Sequence, residues 1–166
     1  MALTSADYED IRNLYGRYSL AVDSGDFDGY VACYTPDIEM IYEGLPDDLD
    51  RNGAHVGHAA VRAMAEDVWA GTQGHVLHVI VPQTIEGDGD VAHVVVYDHV
   101  FRRGQAPYSG IIHTGTAEDT LRRTEEGWKY SRRVGHIHRH EIEPVSTDVL
   151  VVARDEFVDA ALKITA

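Results

Sequence analysis

Apolar positions in the first part of the chain recur every three or four residues. Tyr8, Ile11, Leu14, Tyr15, Tyr18, Ala21 and Val22 fall on one side of a predicted helix. Thr4, followed three residues later by Asp7, provides a capping box at its start. The run Asp23, Ser24, Gly25, Asp26 ends this helix and caps a short second one, with Phe27, Tyr30, Val31 and Tyr34 inward and a stop before Pro36. Ile38 to Tyr42 reads as a short strand. The stretch from Gly44 to Gly57, with Pro46, Asp47, Asp48, Asp50 and Asn52-Gly53, reads as a polar loop suited to a lid. A third helix is predicted from His58 to Ala70, with Val61, Met64, Ala65, Val68 and Trp69 as its apolar stripe.

After Gly74 the period changes from helical to alternating. Strands are predicted near 75–86, 91–103, 109–123 and 128–141, joined by turns at Gly87 to Asp90, Gly104 to Pro107 and Glu125 to Gly127. Pro82 cannot donate a ladder hydrogen bond, so it marks an edge or a bulge, and bulges help a sheet curl. The fold class is α+β: a cone-shaped, strongly curved mixed or antiparallel sheet, closed by N-terminal helices around an apolar pocket. Residues 1–145 form this domain. Residues 146–166 form a C-terminal extension, helical with Phe157, Val158, Ala161 and Leu162 on one face, packing on the same domain or on a partner subunit.

Composition narrows the function. A chain of 166 residues, 44% hydrophobic and 25% charged, is a single globular domain rather than a disordered or fibrous segment. Fourteen basic residues against 28 acidic ones leave a net charge of -14, which repels phosphate backbones and anionic membrane surfaces. Nucleic acid and membrane are therefore not expected partners. The opening MALTSADYED lacks a secretory signal's basic start, and no uncharged stretch approaches the roughly 18 residues of a membrane helix, so a cytoplasmic location is expected. The lone Cys33 can form no internal disulfide and reads as a small buried residue. No P-loop or GxGxxG fingerprint follows a strand, and no cofactor is expected.

Ten histidines provide proton-transfer groups near neutral pH. On the strand after Gly74, His78 shares a face with Val76 and Ile80, and His75 shares the other with Leu77, Val79 and Val81. One of them faces the pocket, or both are structural. Asp23 sits at the negative end of the first helix, which costs about 0.3–1 kcal/mol for an exposed carboxylate. Either a histidine that becomes cationic compensates it, or it is a solvated turn residue. Asp98 shares a greasy face with Ala92, Val94, Val96 and Val100, either at a wet rim or inside the pocket as an acid. Arg133 either neutralises such a carboxylate or is a surface charge. His136, His138 and His140 form an HxHxH run, but same-face side chains along a strand lie about 7 Å apart, which favours a polar rim or subunit contact over a metal site.

The order of elements, the opening IRNLYGRYSLAVDSGDFDGYVACYTPD, the helix start GHAAVRAM, the strand GHVLHVIVPQTIEGDGDVAHV and the hairpin TLRRTEEGWKYSRR resemble the SnoaL-like branch of the ketosteroid isomerase and scytalone dehydratase superfamily, whose fold is nuclear transport factor-like. Within it the chain is similar to bile-acid 7α-dehydratase and hexachlorocyclohexane dehydrochlorinase. That resemblance implies a dyad of His78 and Asp23, with Tyr18, Asp98 and Arg133 as further site residues. Tyr18 and Asp23 are five residues apart, so their directions on an ideal helix differ by about 140°.

The resemblance implies a cofactor-independent lyase acting on a hydrophobic cyclic, polyketide-like or steroid-like molecule by removing a proton from carbon. An isomerase or cyclase using the same dyad is the alternative. An epoxide hydrolase, needing several carboxylates converging near Asp98, is another. So is a non-catalytic ligand-binding protein or oxygenase small subunit. The strand face bearing Tyr97, His99 and Phe101 suits burial against a copy of the chain, so a homodimer or homotrimer is expected.

Overall fold

A computed structural model describes residues 2–45, 52–103 and 110–138. The helix α1 runs Ser5–Ser24, and its N-terminus carries the reciprocal Thr4 and Asp7 capping box. Gly25 ends it in the left-handed conformation at φ 74, and a Cβ there would lie 3.0 Å from the Trp69 ring. Asp26 caps α2, Phe27–Ala32, by accepting from Gly29 N. After β1, Tyr34–Glu43, and β2, Gly53–Val56, the helix α3 spans Gly57–Thr72. The strands β3, Val76–Asp88, β4, Val91–Arg102, β5, Gly110–Thr124, and β6, Gly127–Ile137, follow.

The six strands form one sheet in the order β2-β1-β6-β5-β4-β3. β3 to β6 pair as successive antiparallel hairpins, and β1 joins β6 in parallel, which makes the sheet mixed. Register shifts between Pro82 and Thr84, Val100 and Phe101, and Thr120 and Leu121 interrupt three successive ladders. Each adds local bend and twist, so the sheet curls around α1 and α3. Among the described strands, Pro82 lies both on the edge strand and beside a bulge.

On β4 exposure alternates strictly from Val91 to Asp98, with Ala92, Val94, Val96 and Asp98 buried. That concave face meets the α1 stripe of Ile11, Leu14, Tyr15 and Tyr18 and the α3 residues Val61, Met64 and Ala65. Among the described residues, no helix is long and apolar enough to cross a membrane.

The structure corrects the expected elements at several points. The polar loop contains β2, which pairs antiparallel with β1 from Tyr42 opposite Gly53 to Glu39 opposite Val56. Four residues are too few to show a period, so only the partner strand reveals it. β1 begins at Tyr34, before Pro36, because the ladder to β6 shifts register between Tyr34 and Glu39 and accommodates the proline. β6 is described over Gly127–Ile137, the rest of its expected span at 139–141 lying outside the described residues, and α3 runs on to Thr72, closed by Gln73 at φ 50. The turn at 104–107 and the extension 146–166 lie outside the described residues.

Candidate active site

Among the described residues β3 has β4 on one side and no strand on the other, so outward-pointing backbone groups along that edge need other partners. The last turn of α1 brings Asp23, 8% exposed, to this edge. Both carboxylate oxygens lie 3.1 Å from His78 N, which donates to them. Oδ1 also lies 2.7 Å from His78 Nδ1. One carboxylate therefore holds the backbone and the ring of the same histidine. Because an ionised carboxylate only accepts, this contact makes Nδ1 the donor, and in the neutral imidazole tautomer it favours, Nε2 keeps its lone pair. The two donors also offset the unfavourable position of Asp23 at the negative end of α1.

His78 borders a cavity of about 300 Å³. Met64 and Val68 of α3, Val76 of β3, Val100 of β4 and Tyr42 of β1 form much of the remaining wall. Apolar side chains dominate, with the His78 and His113 imidazoles and the Tyr42 phenol as polar groups among them.

A second polar cluster lies deeper. Arg133, 1% exposed, has its Nη2 3.7 Å from Asp98 Oδ2 and its Nε 3.6 Å from Asp119 Oδ1. Its guanidinium stacks 5.0 Å above the Tyr18 ring and 5.6 Å from that of Tyr130. Tyr15 Oη donates to Asp119 Oδ2 at 2.7 Å. Burial pushes the Asp119 carboxyl up from the ordinary carboxylate range, while Arg133 and Tyr15 pull it back. Burial works against the charge on Arg133, but Asp119 and the neighbouring tyrosines and Asp98 outweigh it and keep the guanidinium protonated. Asp98 Oδ1 and Arg133 Nη1 and Nη2 are buried without a hydrogen-bond partner among the described residues. Burial also raises the Tyr18 and Tyr42 phenols well above their ordinary value, so both are neutral hydroxyls.

The predicted site residues thus fall into two groups. His78 and Asp23 meet, with His78 on the cavity wall. Tyr18, Asp98 and Arg133 meet one another below it without lining it, and Tyr42 connects the levels: it borders the cavity and interacts with Tyr18, Asp98 and Arg133. Tyr18 packs on Arg133, Tyr30, Tyr34 and Tyr130, whereas Asp23 turns to His78, as their angular separation on α1 requires. His75 is exposed and lies off this cavity. Cys33 is buried, its thiol pushed up to about 11 by burial. His136 pairs with Glu43 at 3.0 Å, and His140 lies outside the described residues. Sequence reasoning missed Asp119, Tyr42 and His113 as site residues. Asp119 shares its buried face with Ala117 and Leu121, the same alternation that singled out Asp98.

Residues 4–134 match a family described as SnoaL-like domain. Among solved structures, an NTF2-like protein with a cystatin-like fold from Novosphingobium aromaticivorans is 25% identical, with 86% of each chain covered and a TM-score of 0.68. A candidate aromatic ring hydroxylase from the same organism is also 25% identical, with 83% of this chain and 93% of that chain covered and a TM-score of 0.62. A candidate dehydratase of the NTF2-like family from Streptomyces avermitilis is 18% identical, with 82% of this chain and all of that chain (100%) covered and a TM-score of 0.67. At that identity it shares the fold alone. No curated protein matches the chain. A helix-capped curled sheet with a histidine-lined apolar cavity, together with a family match over residues 4–134, places the chain in the SnoaL-like domain family, within the NTF2-like superfamily.

Proposed function

We propose that the protein is a cofactor-independent lyase that eliminates water or another leaving group from a hydrophobic cyclic molecule, beginning with proton removal from carbon. The observation that carries this reading is the contact of 2.7 Å between Asp23 and His78 Nδ1 at the wall of an apolar cavity. Nε2 takes the proton, and Asp23 stabilises the imidazolium and keeps the ring oriented. The neutral phenol of Tyr42 donates a hydrogen bond to the substrate oxygen as negative charge develops there. Arg133, held between Asp98 and Asp119, sets a positive charge behind that phenol. The same steps serve an isomerase or cyclase if the proton returns elsewhere or the carbanion attacks a second carbonyl. Two carboxylates converge on Arg133, as epoxide hydrolysis requires, but neither borders the cavity, which favours elimination.

Exchange of deuterium from solvent into the positions beside the carbonyl of 2-decalone, followed by NMR, tests the first step without knowledge of the natural substrate. The wild type is expected to catalyse exchange. His78→Ala should lose at least about 100-fold of that rate, and Asp23→Asn a smaller part of it. Exchange by His78→Ala at the wild-type rate overturns the reading.

A further inference from the structure

A second hollow, about 350 Å³, opens beside the cavity and shares Thr72, Val76 and Ile112 with it. Its remaining wall is basic: Arg102 ends β4, Arg103 follows, and His75 faces them from the chain entering β3. The two sides are tied, because Arg103 N donates to His75 O at 2.9 Å and Arg102 stands opposite Val76 in the ladder. Among the described residues, no acidic side chain lines this hollow. Elsewhere Arg62, Arg122, Arg123 and Arg132 each pair with a carboxylate, whereas Arg102 and Arg103 make no ion pair among the described residues.

In a chain of net charge -14, two adjacent arginines that pair with no carboxylate among the described residues offer an anion a local attraction at one place on the rim. A wholly apolar substrate gives that arrangement nothing to recognise. We propose that this hollow is an anion subsite, and that the substrate has an apolar body for the cavity and a carboxylate or phosphate terminus held by Arg102 and Arg103. The guanidinium forks suit either oxyanion, and the shared wall at Val76 and Ile112 lets one molecule span both spaces. This inference rests on the cavity being the substrate site.

Fluorescence titration with 1-anilinonaphthalene-8-sulfonate and with N-phenyl-1-naphthylamine, which has the same rings and no charge, tests it. The double variant Arg102→Gln, Arg103→Gln changes only exposed side chains. It should weaken the sulfonate about tenfold and leave the neutral probe unchanged, and added salt should weaken the sulfonate alone. Displacement of the bound sulfonate by decanoate, decyl phosphate and decanol separates the two sources of charge. Either anion displacing about tenfold better than decanol supports the subsite and identifies its preferred terminus. Both anions equalling decanol, or equal behaviour of the two probes in the double variant, overturns it while leaving the cavity intact. If instead Val68→Trp on the cavity wall leaves neutral-probe binding untouched, the cavity reading fails and the subsite with it.

Discussion

Asp7 shows how one side chain can tie the start of a helix to the far side of the fold. Its carboxylate accepts from Thr4 N at 2.8 Å and Trp128 Nε1 at 3.2 Å, and it pairs with Arg123 at 2.6 Å. Arg123 beside it, with the Thr4 bonds, holds the carboxyl well below its ordinary value of 3.8. Between the depressed folded value and 3.8 the unfolded chain binds more protons than the folded one, so stability rises with pH there. The contribution is present above 3.8 and disappears as acid protonates the folded carboxyl. Asp7→Asn should therefore be less stable than the wild type at neutral pH, and the gap should narrow between about pH 5 and pH 2. Urea unfolding at a series of pH values measures this, and a gap that stays constant contradicts it. The capping role of Asp7 was legible from its spacing to Thr4. Its bonds to Trp128 and Arg123 were not, because they cross 121 and 116 residues of chain.

At the scale of elements, the site depends on where α1 stops. Gly25 at φ 74 turns the chain two residues after Asp23, and Trp69 of α3 closes against it. Gly25→Ala adds a Cβ in a left-handed backbone with the Trp69 ring 3.0 Å away. It should cost roughly 1–2 kcal/mol, read as a lower urea midpoint with an unchanged slope. The same variant should bind the neutral naphthylamine probe less tightly, since α3 lines the cavity and Asp23 of α1 holds His78 on its wall. Element type was legible where a period ran long enough: α1, α3 and the four long strands all stand near their expected places. The four-residue β2 and the parallel pairing of β1 with β6 were not, since neither leaves a local signal.

At the scale of the molecule, helices and the cavity fill the concave sheet face, while the convex face is left uncovered by the described residues. Leu77, Val79, Val81, Val95 and Tyr97 are 39–50% exposed there, alternating with inward residues of β3 and β4. We expect this face to meet a second copy of the chain, giving a homodimer or homotrimer. Light scattering coupled to gel filtration should give an oligomer for the wild type and a smaller species for Tyr97→Lys, which places a charge in the patch. A wild-type monomer contradicts the expectation. Alternation along the strands and the periodic stripe of α1 determined the elements, the buried faces and the face Asp98 shares with Val94 and Val96, because each such signal needs only near neighbours in the chain, while the tertiary structure decided that Asp98 is buried. The resemblance of those segments to a known family named His78, Asp23, Tyr18 and Arg133. Which inward residues share a level was decided by tertiary structure: bulges and the parallel β1–β6 pair set Asp119 on Arg133, Tyr42 on the cavity wall, and Arg102 and Arg103 on its rim. Periodicity assigns a side chain to a face, but depth and partner depend on register across strands far apart in sequence.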